Sequence, residues 1–501
     1  MKKVVFCLLL LTAILCYGFS ACAEELQAAE NVSDACEYTI SFKASRAIAS
    51  LKDDDTETYQ KFKAGTSVTI AWDKDVAAEN LYLQWTTLPE SYVLKQFDMD
   101  GKALSDEERV PYLYNEFIAL DAGTEKIEIS SAGGMSLTTC QLYGPGEPPE
   151  DYHPYLPLPE KLDYLIVAMH PDDDVLFMGG IMPTLSDRGL IGGIVYMGTR
   201  VRERCDEALN GAWIMGDRYQ PILAGFPDIP NTSYYYDKFQ NTFRVTDIEK
   251  YIVGLLRQYR PEVVFTHDPE GEYGHWQHQR LSSAVQAAVT ACADASYDTA
   301  SANQYGTFQV KKCYLHLYSK NKISVSMTEP LASFGGKTAF EIAAEAFEAH
   351  VSQHNGNHSV TNKGIYSLED FGLYYSAVGA DTGAGDFFEN IDPDSLSVKP
   401  TPSPVPTATP VPTATPVPTP VPTATPAPEP VLVIMPEATD APAAPATESP
   451  KTAAPAPAAE EEAKEEKSRS SILLYIICAL TAILLIISIA AVILVLRKKK
   501  K

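Results

Sequence analysis

At 501 residues the chain is too long for one ordinary core, and it carries 36 prolines. More than half of those prolines lie in the last quarter, so two folded domains plus non-globular segments are expected. The formal charge of −25, from 65 acidic against 40 basic residues, comes with no basic stripe before the extreme C-terminus, which argues against nucleic acid as a partner.

Residues 1–23 begin Met1-Lys2-Lys3, continue as an apolar run from Val4 to Leu15 and end in the small-residue pattern Ala21-Cys22-Ala23. This predicts a secretory signal peptide cleaved after Ala23. Phe19-Ser20-Ala21-Cys22 loosely resembles a lipoprotein box, so a diacylglycerol on Cys22 is the alternative to a free Glu24. Of the nine cysteines, Cys36, Cys140, Cys205, Cys292 and Cys313 fall in the exported part. Five is odd, so at least one is expected to be a free, buried thiol, and none has the close paired spacing of a zinc knuckle.

Within 24–148 the apolar residues alternate: Tyr38, Ile40 and Phe42; Val68, Ile70 and Trp72; Leu81, Leu83 and Trp85; Ile127 and Ile129; Leu137 and Leu142. Period two over short runs predicts an all-β antiparallel sandwich. The stretch Leu51-Lys52-Asp53-Asp54-Asp55-Thr56-Glu57-Thr58-Tyr59, with a strand after it, resembles the discoidin-like galactose-binding β-sandwich family, whose members often bind sugars. That resemblance would put Cys36 and Cys140 on the first and last strands, close enough for one disulfide. A spacer sandwich without ligand is the alternative.

After the turn-rich linker Gly144-Pro145-Gly146-Glu147-Pro148-Pro149 the period changes. Across 160–392, Leu165 to Met169, Ile194 to Met197 and Val263 to Thr266 are continuous apolar strands. Thr246-Asp247-Ile248-Glu249 has the form of a capping box opening a helix, with Ile248, Ile252, Leu255 and Leu256 at helical spacing. An α/β Rossmann-like parallel sheet covered by helices follows, with its working residues in loops at the carboxyl ends of the strands.

Residues 393–470 are rich in proline, threonine and alanine, and Pro-Val-Pro-Thr-Ala-Thr recurs from Pro404, Pro410 and Pro420. Such a segment cannot pack a core and is expected to be a disordered, extended stalk. At polyproline pitch the stretch from Pro400 to Pro428 reaches roughly 90 Å. Residues 471–496 are apolar enough for a transmembrane helix rising roughly 39 Å, more than the hydrocarbon core of about 30 Å. The basic tail 497–501 places the C-terminus in the cytoplasm. The expectation is a single-pass cell-membrane protein whose folded domains are extracellular.

The chemistry is concentrated in two clusters. Directly after the first parallel strand comes His170-Pro171-Asp172-Asp173-Asp174, with Gly179-Gly180 beyond it. Carboxylates packed behind an imidazole repel one another unless a cation sits among them, so a divalent metal is expected, held by His170 and Asp173 with Asp172 left free as a base. After the strand Val263 to Thr266 comes His267-Asp268-Pro269, a glycine-punctuated loop, then His275-Trp276-Gln277-His278 leading into a helix. His278 would supply the third ligand. Two histidines, one carboxylate and an open position form the ligand set of a catalytic zinc.

Together these residues, from Leu162 to Gln353, resemble the PIG-L/LmbE family of zinc-dependent N-deacetylases. The resemblance implies removal of acetyl groups from N-acetylglucosamine-type sugars with zinc or another divalent metal. It assigns His170, Asp173 and His278 as metal ligands, Asp172 as general base, and His275 as the charged partner of the developing oxyanion. Arg204-Cys205-Asp206-Glu207-Ala208 resembles the family's Arg-x-x-Glu helix, Gly225-Phe226-Pro227-Asp228 its substrate-side loop, and His350-Val351-Ser352-Gln353 also looks familial. Arg204 and Asp228 are expected to touch sugar hydroxyls, with an internal Arg-Glu pair on the helix as the bland alternative.

Two departures stand out. Asp174 replaces the usual glutamate, shortening a carboxylate that would orient a ligand, and Trp276-Gln277 replaces the more common Pro-Asp. His153, His316, His354 and His358 read as structural, and Tyr234-Tyr235-Tyr236 fits either a sugar cleft or a solvent-facing loop. The expected partners are an N-acetylated sugar or glycan and the membrane. The rival readings are an amidase on another amino-sugar conjugate and a carbohydrate-binding surface adhesin with a vestigial metal site.

Overall fold

The computed structural model describes residues 27–397, apart from 42–44, 54, 200–201, 355–357 and 383–384. The expected signal peptide, nearly all of the stalk, the span at 471–496 and the basic tail lie outside the described residues. Among the described residues no helix is long and apolar enough to cross a membrane. All of them belong to one compact unit.

The N-terminal part is a sandwich of two antiparallel sheets. One holds β1 (Glu37–Ile40), β3 (Ser67–Ala71), β8 (Lys126–Ser130), β5 (Tyr92–Phe97) and β6 (Ala103–Arg109). The other holds β2 (Gln60–Phe62), β9 (Met135–Tyr143), β4 (Asn80–Thr87) and β7 (Asn115–Ala119). A short helix, α1 (Ser45–Ala49), follows β1. The alternating residues Tyr38, Ile40, Val68, Ile70, Leu81, Leu83, Ile127, Ile129 and Leu137 meet between the sheets.

The expected Cys36–Cys140 disulfide is not formed: both are free, buried thiols. Cys36 precedes β1 instead of lying on it, and its Sγ donates to the Val32 carbonyl at 3.4 Å. The Tyr38 hydroxyl, not a sulfur, ties this edge to Cys140, donating to its carbonyl at 3.0 Å.

The second part is built on a seven-stranded sheet of order β12-β11-β10-β13-β14-β16-β15. Its strands are β10 (Tyr164–Ala168), β11 (Gly192–Gly198), β12 (Ile222–Phe226), β13 (Val263–Thr266), β14 (Lys312–His316), β15 (Lys322–Ser324) and β16 (Asp370–Ser376). The first five are parallel, while β16 and β15 run antiparallel along one edge. The sheet is thus mixed where a parallel one was expected. The helices are α2 (Asp173–Leu176), α3 (Ile181–Asp187), α4 (Arg202–Ile214), α5 (Ser233–Phe239), α6 (Val245–Tyr259), α7 (Trp276–Ala291), α8 (Thr299–Tyr305) and α9 (Ala339–Glu348).

Burial on both faces explains the continuous apolar strands. Tyr164, Ile166, Ala168 and Phe265 pack with residues of α2, α3 and α9. Their neighbours Leu165, Val167, Met169 and Val264 pack with α6 and α7 on the other side. The capping box at Thr246 is not realised: α6 starts two residues earlier, with Arg244 at its N-cap. The Asp247 carboxylate is taken by the Arg244 guanidinium, with both contacts at 2.8 Å. Packing also runs past the expected boundary at 392, because Ser397 donates to Asp163 from its backbone N–H at 2.8 Å and its hydroxyl at 3.0 Å.

Chain order reverses at β10, with β11 and β12 on one side and β13 and β14 on the other. The crevice outside the carboxyl ends of β10 and β13 is where an open α/β sheet binds ligands. Behind the turn that follows β10, Gly179 lets α9 approach closely: a Cβ there would lie 2.4 Å from the Val175 carbonyl oxygen and 2.8 Å from the Ala343 Cβ. Gly179→Ala should cost about 1–3 kcal/mol of overpacking. Urea denaturation reads this as a lowered midpoint, and an unchanged midpoint would contradict the close packing.

Candidate metal centre and active site

The turn Met169 to Asp173 carries β10 into α2 and presents its polar side chains at the crevice. Asp173 folds back over it: Oδ2 accepts the His170 backbone N–H at 2.7 Å and lies 3.1 Å from His170 Nδ1. Between them Asp172 holds φ 154° and ψ −22°, a sparsely populated conformation for a residue with a Cβ, costing on the order of 1–3 kcal/mol.

The second half comes from β13, through His267 and the loop Asp268 to Gly274, to His275 at the N-cap of α7. His278, in the first turn of α7, brings Nε2 to 3.1 Å from His170 Nδ1 and 3.3 Å from Asp173 Oδ2. One carboxylate oxygen and two imidazole nitrogens thus converge from distant stretches of chain, all three residues buried.

The opposite edges of both rings are occupied. His278 Nδ1–H donates to Glu272 Oε2 at 2.8 Å, and His170 Nε2–H reaches Gln277 Oε1 at 3.3 Å. Each bond leaves the other ring nitrogen with its lone pair toward the shared centre, the arrangement that orients metal-binding histidines. Gln277 is itself fixed, donating to the Pro227 carbonyl and accepting the Ile229 N–H, both at 2.8 Å.

Glu272 also takes His267 Nδ1 and His316 Nδ1, each at 2.8 Å. Burial alone would raise its pKa, yet His267 and the other imidazoles hold it well below the usual carboxylate range. Two donor groups can be drawn here, His170 with His275 and His278, and Asp173 with His267 and His278. His267 has no lone pair to offer, since its Nε2 accepts the Met169 N–H at 2.9 Å. His275 Nδ1 accepts the Gln277 N–H at 3.2 Å, so in the neutral ring the proton sits on Nε2 and that nitrogen donates.

The electrostatics call for a cation at the shared point. Burial would depress the pKa of His278, but Asp173 and Glu272 on either side raise it to about 10. Burial would raise that of Asp173, but His278, His170 and His267 hold it well below its ordinary value. A metal ion would compete for the site with the proton that His278 otherwise binds. The donors fit one: tetrahedral bonds of about 2.0–2.1 Å separate ligand atoms by about 3.3 Å, close to the spacing seen.

Asp172 stays out of the metal group, as expected, and is bonded on one side: burial pushes its pKa up to about 7, and the opposing charge is Arg204, whose guanidinium donates to Oδ1 at 2.7 Å. One expectation needs correcting. His275 is not charged, because burial, then His278 and His170, push its pKa down to about 2. Arg204 also donates to Asp228 Oδ2 at 2.7 Å and the Pro171 carbonyl at 3.0 Å. Arg204 and Asp228 therefore reach the site bonded to each other.

Asp174 orients no ligand. It turns under the sheet, where the Tyr196 hydroxyl donates to it at 2.7 Å and burial pushes its pKa up to about 8. Glu207 is used inside the fold, accepting from the Ser352 N–H and hydroxyl at 2.5 and 2.6 Å. His316 is the satisfied sheet histidine expected of it, its Nε2 reaching the Ser367 carbonyl at 3.1 Å. Trp276 is a core residue against Phe243, and Tyr236 of α5 meets its ring at 5.6 Å.

Glu272 and Tyr273 have no place in the expected ligand set, and His267, which opens the second cluster, has no role in it. Tyr273 is 43% exposed, its ring 5.6 Å from those of His275 and His278 and 5.8 Å from that of His358, so it walls the mouth of the crevice. A carboxylate six residues before a ligand histidine, in a loop punctuated by Gly271 and Gly274, was the available signal for Glu272.

Residues 165–289 match the family model described as PIG-L: GlcNAc-PI de-N-acetylase. The chain carries a PIG-L/LmbE-like deacetylase domain. A 1D-myo-inositol 2-acetamido-2-deoxy-alpha-D-glucopyranoside deacetylase of Rhodococcus erythropolis is 27% identical over 168 residues, which is 27% of this chain and 55% of that protein. A deacetylase with the same description from Segniliparus rotundus is 27% identical over 182 residues, 30% of this chain and 56% of its own length. The chain thus spans about half the length of these relatives. A solved Pyrococcus horikoshii N,N'-diacetylchitobiose deacetylase is 20% identical over 38% of this chain and 71% of its own, at a TM-score of 0.30, too low for a comparison of fold.

In this PIG-L/LmbE-like domain, Glu272→Gln should reverse one hydrogen bond among the three imidazoles and lower divalent-metal affinity about 10–100-fold. Competition with a chelating dye measures this. Unchanged affinity would contradict the role given to Glu272.

Proposed function

We propose that the protein is a metal-dependent hydrolase that removes the acetyl group from N-acetylglucosamine-type sugars, displayed outside the cell on a membrane-anchored stalk. The observation that carries the reading is the meeting of His170 Nδ1, Asp173 Oδ2 and His278 Nε2 within 3.1–3.3 Å, beside the Arg204-bound carboxylate of Asp172. The relatives' descriptions name 2-acetamido-2-deoxy sugars, which supports an acetamido sugar as substrate. Extracellular placement rests on residues 1–23 and 471–501 of the sequence.

His170, Asp173 and His278 would hold the ion, with zinc the best fit to this donor set. When bound, it would supply Lewis acidity toward the acetyl carbonyl and lower the pKa of water. The chain's own residues do the rest. Arg204 fixes Asp172 through Oδ1, leaving Oδ2 to accept the proton of the attacking water. The water oxygen bonds to the acetyl carbon and the carbonyl oxygen becomes an oxyanion. His275 Nε2–H donates to that oxygen as a neutral group, adding stabilisation where charge develops. Asp172 then returns the proton to the departing nitrogen, the C–N bond breaks, and acetate and a free amine leave.

Asp228 would meet a sugar hydroxyl through Oδ1, which lies 3.7 Å from His170 Nε2. Tyr273 offers a ring face at the mouth.

Acetate release from N-acetylglucosamine oligomers and glycosides by the exported protein tests the reading. Asp172→Asn should lower the rate about 10²–10⁴-fold with melting temperature and metal content unchanged, and a chelator should abolish release until divalent metal is restored. Wild-type activity persisting in Asp172→Asn, or untouched by chelator, would refute the proposal.

A further inference from the structure

We infer that the β-sandwich is a working part of the catalytic centre, and that Arg202 is a positioning residue that acts through α4 to set Arg204 against Asp172. The inference rests on the proposed role of Asp172.

Arg202 and Arg204 lie two residues apart on α4, about 200° around a helix, so they face nearly opposite ways. Arg202 points into the joint with the sandwich and is buried. Its guanidinium donates to the Trp85 carbonyl of β4 at 3.1 Å, to Asn115 Oδ1 of β7, and to Asp206 Oδ1 at 2.6 Å. It also lies 5.5 Å over the Tyr114 ring. Asn115 Nδ2 reaches Asp206 from the sandwich side at 3.3 Å, closing the network. One to two turns further on, Leu209 and Trp213 of α4 pack with Leu113 and Tyr114 of the sandwich around Tyr155.

The other side of the helix faces the chemistry. Arg204 bonds Asp172, Pro171 and Asp228, and Glu207 holds Ser352. The buried residues of α4 include Arg202 and Glu207 beside small or modest apolar ones, Cys205, Ala208, Leu209, Gly211 and Ala212. Its position thus depends on polar contacts at both faces as well as on this modest apolar packing. A tethered sugar-binding module would not bury an arginine network in its joint, because an unpaired buried charge is costly whenever the joint opens. Loosening the sandwich should therefore displace the Arg204 fork, and small displacements of such clamps cost large factors in rate.

The test uses Arg202→Met/Asp206→Asn in the exported protein, a pair that removes both charges so that neither is stranded. Hydrogen exchange is read at α4 and at the amides of Val175, Leu176 and Phe177, which bond to Asp172 and Asp173. Kinetics are read on an N-acetylglucosamine glycoside. Expected are at least about tenfold faster exchange in both places and at least about a tenfold lower kcat with KM changed less than about twofold, at temperatures well below melting. Arg202→Lys should recover part of both. Faster exchange confined to α4 with kcat intact would reduce Arg202 to a structural role and overturn the inference. If wild-type protein proves inactive, the functional reading fails, and the exchange at Val175 to Phe177 still decides whether the sandwich positions that turn.

Discussion

Three atoms with lone pairs, His170 Nδ1, Asp173 Oδ2 and His278 Nε2, are pressed to within 3.1–3.3 Å of one another inside the fold. Without positive charge between them such an approach is repulsive, and burial makes the repulsion worse. A proton or a metal ion held between them removes the repulsion. The remaining parts of the site follow from arranging that demand: Glu272 and Gln277 turn the rings so that their lone pairs converge, and Arg204 compensates the carboxylate of Asp172 that stands next to the centre.

The fold meets this demand through topology. Strand order reverses at β10, so the turn after β10 and the loop after β13 open into the same crevice although about a hundred residues separate them. Buried parallel strands fix the register of the two ends, with Tyr164 opposite Val263 and Ile166 opposite Phe265. Strain at Asp172 is tolerated because the turn is bonded on both sides, its carbonyl receiving the Val175 and Leu176 N–H groups and Gly198 donating to Met169.

Much of this was legible in the chain. His170, Asp173 and His278 stand out because carboxylates and imidazoles are dense there and follow apolar strands, a pattern with few structural uses. The sandwich strands with clean alternation were readable, whereas β6, with no buried residue, carries no apolar signal at all. Glu272 was hidden because its partners, His267, His278 and His316, are scattered over some fifty residues and only the sheet gathers them. The charge state of His275 was misjudged for a similar reason: the resemblance supplied a cation, while burial beside His278 and His170 favours the neutral ring. The meeting of Asp172, Arg204 and Asp228 was hidden because their spacing in sequence says nothing of it. The thiols of Cys36 and Cys140 were paired by family analogy, and the hydrogen bond of Cys36 to Val32 decided otherwise.

X-ray absorption at the zinc edge of the zinc-loaded protein tests the metal centre most directly. The account predicts one ion per chain with two imidazole nitrogens at about 2.0–2.1 Å and the remaining positions oxygen, with one imidazole contribution lost in His278→Ala. A spectrum with no imidazole scattering, or one that His278→Ala leaves unchanged, would contradict it.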